Sequence, residues 1–310
     1  MAQTGDVLLN YILQLDVHTP TPDANTDYLR AVVAVVKPKD ETPTGQITKV
    51  ISAEAAAALT DNADVAELFK GGLNSALILP VDDLSAVGTA LENATDRFYT
   101  VLISSDFNKT EIDSLDVGTF DGVVGAAFEQ QADAQAFAAQ SKRCGAKNAK
   151  SLFYAFGQLL SASSWSNLQY VEMPYSDGVT TVAAADSLFE DKVTFVLDSP
   201  QYGRRLGLFA AGGQAIIAPY ITQELIANLQ GAALQYLNLN RPQYTLAQAK
   251  LLEDYLTSDA DARYVQTKLL DYVNISVSLE NKNYVGTVSV SIPEPTALWR
   301  LKGILTQEAL

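Results

Sequence analysis

Strand-like segments at both ends of the chain, each tied to the rest by proline, restrict the fold more than any other feature. Near the C-terminus Ile275, Val277 and Leu279 alternate with Ser276, Ser278 and Glu280, and Val288, Val290 and Ile292 alternate with Thr287, Ser289 and Ser291. Period-2 alternation on both sides of Asn281-Lys282-Asn283 predicts a β-hairpin. Pro293-Glu294-Pro295 follows, and its two rings fix φ and remove two amide donors, so the ladder must stop and the chain leave in an extended direction. Beyond it a second alternating run sets Ala297, Trp299, Leu301 and Leu305 on one face, with Leu298, Arg300, Lys302 and Thr306, mixed with Ile304, on the other. An apolar strand carried away from a core is not stable alone in water and needs a sheet edge.

The N-terminus repeats this design. Val7, Leu9, Tyr11, Leu13, Leu15 and Val17 alternate with Asp6, Leu8, Asn10, Ile12, Gln14, Asp16 and His18, and Thr19-Pro20-Thr21-Pro22-Asp23 joins that strand to the body. Terminal strands ordinarily pair with each other or with the body's own sheet. Two proline-spaced strands at opposite ends favour exchange between molecules. The expected inter-subunit residues are therefore Val7, Leu9, Tyr11, Leu13, Leu15 and Val17 in an N-terminal arm, and Ala297, Trp299, Arg300, Leu301, Lys302 and Leu305 in a C-terminal arm. Pro20, Pro22, Pro293 and Pro295 are the expected hinges.

Between the arms the pattern is that of an α/β protein. Residues 31–36 form a continuous apolar run stopped by Lys37-Pro38, as in a strand buried on both faces. A short strand at 46–51 leads to Ser52, the expected N-cap of an alanine-rich helix, and a helix over 64–70 ends at Gly71-Gly72. Strands are then expected at 76–79, 98–103, 122–127, 152–156 and 194–197, with helices opened by Asp82-Asp83, near 109–115 and over 130–142. Strand-helix alternation of this kind predicts a mainly parallel sheet covered by helices. From residue 199 helices dominate the expectation, at 203–211, 222–239 and 245–257, before residues 264–279 return the chain to β structure. Thr245 and Gln248 have capping-box spacing, and Leu251, Leu252, Tyr255 and Leu256 are the expected buried face of that helix. The expected organisation is an N-terminal arm (1–19), an α/β domain (20–198), an α+β C-terminal region with the hairpin (199–292) and a C-terminal arm (293–310).

Chemistry is sparse along this chain. Among 310 residues there is one histidine, His18, and one cysteine, Cys144, so Ser-His-Asp or Cys-His catalysis, a disulfide framework and a multi-cysteine metal site are not expected. No nucleotide, nucleophile-elbow or zinc-protease motif occurs, and the glycines at 203, 207, 212 and 213 do not fit a dinucleotide fingerprint. The Asp82-Asp83 and Asp259-Asp261 clusters sit where helix caps and solvated loops are expected. No catalytic, cofactor-binding or metal-binding residue is assigned. A formal charge of −15 opposes binding to nucleic acid or anionic lipid, and no apolar run approaches a membrane-spanning length.

Residues 46–81 carry an ordered set of features: a strand, Ser52-Ala53-Glu54-Ala55, Asn62-Ala63-Asp64, Leu68-Phe69-Lys70-Gly71-Gly72, then Ala76-Leu77-Ile78-Leu79-Pro80-Val81. This order resembles contractile tail sheath proteins of bacteriophages and related injection machines, in which a helix ends in a Phe-x-x-Gly-like turn before a core strand. The C-terminal order, a helix-rich region followed by a hairpin and an extended arm, is similar to theirs too. The chain is short for that family, implying a minimal sheath without outer insertions, and residues 203–220 match only loosely. The resemblance implies a structural subunit of stacked hexameric rings around a tail tube, contracting to drive the tube through a host envelope. It implies as partners other copies of the chain, the tail tube protein, and baseplate and tail terminator proteins, with assembly in the host cytoplasm and residence in the virion tail. Independently of it, a subunit with two donor strands makes heterologous contacts, which generate rings or helical filaments. A non-contractile structural or adhesive virion protein, and a soluble α/β enzyme with tucked-in termini, are the other classes the residues leave open.

Overall fold

The computed structural model describes residues 11–14, 26–40, 42–165, 168–200, 203–240, 244–280 and 283–291. The first strand, β1 (Tyr11–Gln14), belongs to a sheet completed only at the far end of the chain. The body then runs through β2 (Val32–Val36), β3 (Thr48–Val50), α1 (Ala53–Ala56), α2 (Asp64–Lys70), β4 (Ala76–Pro80), α3 (Val87–Glu92), β5 (Thr100–Ile103), α4 (Lys109–Asp113), β6 (Val123–Ala127), α5 (Gln131–Ala138), β7 (Arg143–Ala146), α6 (Ala149–Ser161) and α7 (Val182–Glu190). Among the described residues these strands make one six-stranded sheet of order β3-β4-β2-β5-β6-β7, parallel except where β3 pairs antiparallel with β4.

Both faces of this sheet are covered, which is why β2 and β4 are buried at every position. Val32, Ala34 and Val36 face a core shared with Leu68 of α2 and Leu152, Phe153 and Phe156 of α6, while Val33 and Val35 face a second core with Val87 of α3, Phe137 of α5 and Leu188 of α7. The turn after α2 has a packing reason. A β-carbon at Gly71 would lie 2.5 Å from the carbonyl oxygen of Tyr154, and one at Gly157 would lie 2.4 Å from that of Leu68, so α2 and α6 approach backbone to backbone. Gly72, at φ +107, then turns the chain in a conformation that only glycine adopts without strain. The predicted helix bounds at 64–70 and the Ser52 cap, whose side chain accepts from Ala55 N, both hold.

Two stretches differ in kind from expectation. Residues 152–156 are not a strand but the centre of α6, with Leu152, Phe153, Phe156, Leu159 and Leu160 buried at helical spacing behind an Asn148 cap. A short apolar run has the same composition in a buried strand and a buried helix, and the sheet position falls instead to β7, before it. The helix predicted over 130–142 ends at Ala138, and Lys142 turns at φ 56 into that strand. Residues 203–211 are not a helix. They form β9 (Gly203–Leu208) and β10 (Ala210–Ala211), with β9 antiparallel to β8 (Phe195–Ser199) and β10 to β11 (Gln214–Ala215). Glycines four apart imitate a helix-packing pattern there, but Gly203 takes φ +71 and a β-carbon at Gly207 would lie 2.4 Å from the Phe195 ring. The expected main-sheet strand at 194–197 is also corrected, since β8 pairs with β9 and only Thr194 bridges to Ala146 of β7.

The last part of the chain comprises α8 (Ile217–Asn240), α9 (Leu246–Ala260), β12 (Tyr272–Glu280) and β13 (Asn283–Ser291). The expected return to β structure from residue 264 is delayed, because Asp261–Val265 continues α9 as one π-type turn and β12 opens only at Tyr272. In α9 the buried residues are Ala249, Leu252, Leu256 and Ala260, whereas Leu251 and Tyr255 keep 52% and 38% exposure on its flank. The inward stripe lies one side of the predicted one because the alanines at 249 and 260 let the helix sit close, and Tyr255 stacks on Tyr236 of α8 at 5.1 Å.

Candidate interaction surface

β12 and β13 form the predicted hairpin, in register from Tyr272–Ser291 to Glu280–Asn283. β1 adds to the other side of β13, antiparallel, with Tyr11 opposite Val288 and Gln14 opposite Val285. The three-stranded sheet β1-β13-β12 thus joins the two ends of the sequence. Tyr11 and Leu13 of the predicted N-terminal set lie in β1. Val7, Leu9, Leu15 and Val17, the hinge residues Pro20, Pro22, Pro293 and Pro295, and Ala297, Trp299, Arg300, Leu301, Lys302 and Leu305 lie outside the described residues, as does His18.

One face of the hairpin is sheltered by helices. Ile275, Tyr284 and Val288 are buried in the same core as Leu252 and Leu256 of α9 and Leu229 of α8. The open side of β12 is also engaged. Val277 N donates to Glu253 Oε2 of α9 at 3.0 Å, and the Glu253 carboxylate is held in turn by Lys250 one helical turn earlier. The Lys250 hydrogen bond, and after it the Val277 amide, hold Glu253 below the usual carboxylate range. Sequence alone does not single out this edge cap, because a Lys-Glu pair three apart reads as an ordinary solvated ion pair. The long helix α8 fastens this unit to the body: Tyr220 Oη meets Thr100 Oγ1 at 2.6 Å beneath β5, Trp165 Nε1 donates to Glu224, and Asn228 Nδ2 donates to Tyr264 Oη at 2.6 Å.

The body offers a place where chemistry could be expected. Within its sheet the order β4-β2-β5-β6-β7 reverses direction between β2 and β5, and in open α/β sheets ligands enter the crevice at such a point. Here the chain's own carboxylates occupy it. Lys37 N donates to Asp106 Oδ2 at 3.1 Å, Ser105 N to Asp64 Oδ2 at 2.8 Å, and Asn62 Nδ2 to Asp106 Oδ1 at 2.7 Å. Amides that would cradle an anionic ligand are therefore bonded internally. An adjacent open groove of about 830 Å³ is lined by Lys109, Lys147 and Lys150 together with Asp133 and Glu129. Cys144 is fully buried beside Thr194, and burial pushes its thiol up to about 12, so it is not a nucleophile. Among the described residues no group of three or more His, Cys, Asp or Glu side chains could hold a metal ion, and no helix is long and apolar enough to cross a membrane.

No family model matches the sequence, and no curated protein matches it in sequence either. Solved structures do match in shape. A chain in the contracted helical sheath of the anti-feeding prophage superposes with a TM-score of 0.58 at 10% identity, covering 90% of this chain and 94% of that one. The chain has the fold of contractile tail sheath proteins. A second match, in the anti-feeding prophage baseplate, has a TM-score of 0.62 at 12% identity and covers 92% of this chain and 94% of the other. The sheath tail protein Lin1278 from Listeria innocua has a TM-score of 0.55 at 9% identity, over 85% of this chain and 92% of its own. The sheath fold thus extends beyond either the main sheet or the hairpin region taken alone, and it includes the mixed α/β body with its parallel-rich sheet.

Proposed function

We propose that the protein is the structural subunit of a contractile tail sheath, forming stacked hexameric rings around a tail tube and contracting to drive that tube through a host envelope during genome ejection. The observation that carries this reading is the sheath fold over nine-tenths of the chain, combined with a hairpin sheet that ends in strand edges. Residues 1–19 and 293–310 act as arms on an α/β domain (20–198) and an α+β region (199–292), with Pro20, Pro22, Pro293 and Pro295 as hinges. Partners are other copies of the chain, the tube protein, and baseplate and tail terminator proteins, and the subunit is assembled in the host cytoplasm into the virion tail. It is not an enzyme and takes no cofactor. Packed cores resist continuous deformation, so contraction moves whole bodies and the change is absorbed at the hinges. Its energy comes from new contacts between bodies rather than from hydrolysis.

Negative-stain microscopy of the purified protein with its tube protein tests the assignment. Striated tubes that shorten and widen on triggering are the expected result. Tubes of fixed length would indicate a non-contractile virion protein, and uniform compact monomers that never assemble would overturn the reading.

A further inference from the structure

The large apolar side chains that the fold leaves uncovered are not scattered. Among the described residues nine keep more than a third of their surface exposed, and six of these fall within residues 239–272, at the elbow between α8 and α9 and the start of β12. The centre of this group is a flank shared by the two helices. Leu239 lies one turn beyond Tyr236 on α8, Leu251 lies one turn before Tyr255 on α9, and the Tyr236–Tyr255 stack joins the two pairs. Leu239 is 75% exposed and Leu251 52%. At the rim Lys250 pairs with Asp254, and Arg263 with Asp259. An apolar patch inside a polar rim is the anatomy of a surface that another protein covers.

Charge and position indicate which protein. From residue 225 to residue 249 the sequence holds one charged residue, Arg241, in a chain whose formal charge is −15. Copies of so acidic a chain repel one another, least where the facing surfaces carry no unpaired carboxylate. The same chain has a second surface of this kind. Residues 180–184, Thr-Thr-Val-Ala-Ala, are exposed without interruption at the start of α7, with Val182 at 63%. The buried residues of α9 belong to the core on one side of the main sheet, and Ala185 and Leu188 of α7 to the core on the other. One molecule therefore cannot bring its own two patches together. Bulky leucine and tyrosine on one patch face small residues on the other, the combination that lets packed layers interdigitate. Unlike patches on opposite sides of a subunit give a head-to-tail contact, the kind that repeats into a ring or a filament.

We propose that the α8–α9 flank, centred on Leu239, Leu251 and Tyr255, packs against the start of α7 of a second copy. This rests on the reading of the protein as a sheath subunit and names a contact between bodies, made by helix side chains and needing no strand from either end of the chain. Because it removes apolar surface from water, sulfate strengthens it, whereas salt weakens a contact made by opposite charges.

Crosslinking and charge exchange test the pairing. Full-length L251C and V182C, prepared separately and mixed under assembly conditions, should give an interchain disulfide on mild oxidation, and neither should crosslink with itself. The buried Cys144 thiol does not compete. Leu251→Lys and Val182→Glu should each weaken self-association by about tenfold or more in sedimentation velocity, with circular dichroism unchanged, because each buries a charge without a partner. Carried together in one chain, they should restore part of the association through a new ion pair. The inference is overturned if L251C crosslinks with itself, if the mixture gives no crosslink, if either charge variant associates as the unaltered chain does, or if the double variant is no better than the worse single one. It is overturned in favour of the tube if L251K keeps its self-association and loses only its binding to tube protein. If the crosslink forms in oligomers that never make tubes able to shorten, the sheath reading fails and the contact stands. If the unaltered chain stays monomeric at every concentration, both fall.

Discussion

Val32–Val36 in the main sheet is buried at every position, whereas Tyr272–Glu280 in the hairpin sheet alternates between exposed and sheltered residues. The first strand sits between β4 and β5 with helices on both faces. The second lies at an edge, with a helix on one side and solvent on the other. Even the loops differ in this sense, since Asp64 and Asp106 satisfy backbone amides at the mouth of the main sheet and leave it chemically closed. The body is complete within one molecule. The hairpin sheet is half solvated, and its nine-residue strands are joined by one from the far end of the sequence; on the proposed reading assembly acts there, so stability and assembly should be separable by mutation.

The sharpest separation is truncation. Deleting residues 296–310 should abolish assembly while leaving circular dichroism and thermal midpoint unchanged, as sedimentation and melting would show; an unfolded truncation product would mean that the segment belongs to the core. Gly157→Val should do the reverse. Its side chain meets the Leu68 carbonyl across the α2–α6 contact, so denaturant titration should show a loss of about 3 kcal/mol or more, with any surviving folded protein still able to assemble.

A smaller effect separates the regions by pH. Burial raises the Asp177 carboxyl to about 6, against the opposing hydrogen bonds from Val196 N and Ser151 Oγ and the attraction of Lys147. Because the folded state holds this proton more tightly than the unfolded one, the group stabilises the fold below about pH 4 relative to above about pH 6, and that stability is lost as pH rises through the window. The difference is about 3 kcal/mol. Asp177→Asn should flatten the stability profile between those limits, with Ser151 reversing its hydrogen bond to accept. Thr100→Val should cost about 1–3 kcal/mol in thermal or chemical unfolding, since it removes the partner of the fully buried Tyr220 hydroxyl. The smallest expected effect is at the arm. Reversing Arg300 and Lys302 to Glu should weaken assembly by about 0.2–1 kcal/mol per cross-strand pair, most at low salt, and a salt-independent result in light scattering would leave those residues as a solvated face.

The same contrast explains what the sequence disclosed. Strands β2, β4, β5 and β6 announce themselves because burial on both faces demands apolar runs, and the hairpin because one wet face demands alternation, whereas β7, Arg143–Ala146, carries no such run and gives no signal. Leu152-Phe153-Tyr154-Ala155-Phe156 misleads because these five residues alone are a short apolar run; the partly exposed stripe of α6, Lys150, Tyr154, Gln158 and Ser161, shows its helical period only over a longer window. Residues 203–211 failed because Gly207 exists to accommodate the Phe195 ring, a long-range contact that no local pattern encodes. The Tyr11 and Leu13 strand was legible as a strand, but not its partner, since pairing register is a property of two distant segments. Glu253 was invisible for the same reason, because its role depends on Val277, twenty-four positions later.

Helix α8 has a mechanical meaning. Its 24 residues form one uninterrupted rod about 36 Å long. Near its start Tyr220 is pinned to Thr100 at the floor of the main sheet, and farther along Glu224 and Asn228 are clamped to Trp165 and Tyr264 before the rod runs out beneath the hairpin. A pull applied to the hairpin sheet therefore meets no slack between it and the body. Load arriving at one strand edge is delivered to the centre of the subunit along a single stiff axis, so displacement of one part is displacement of the whole.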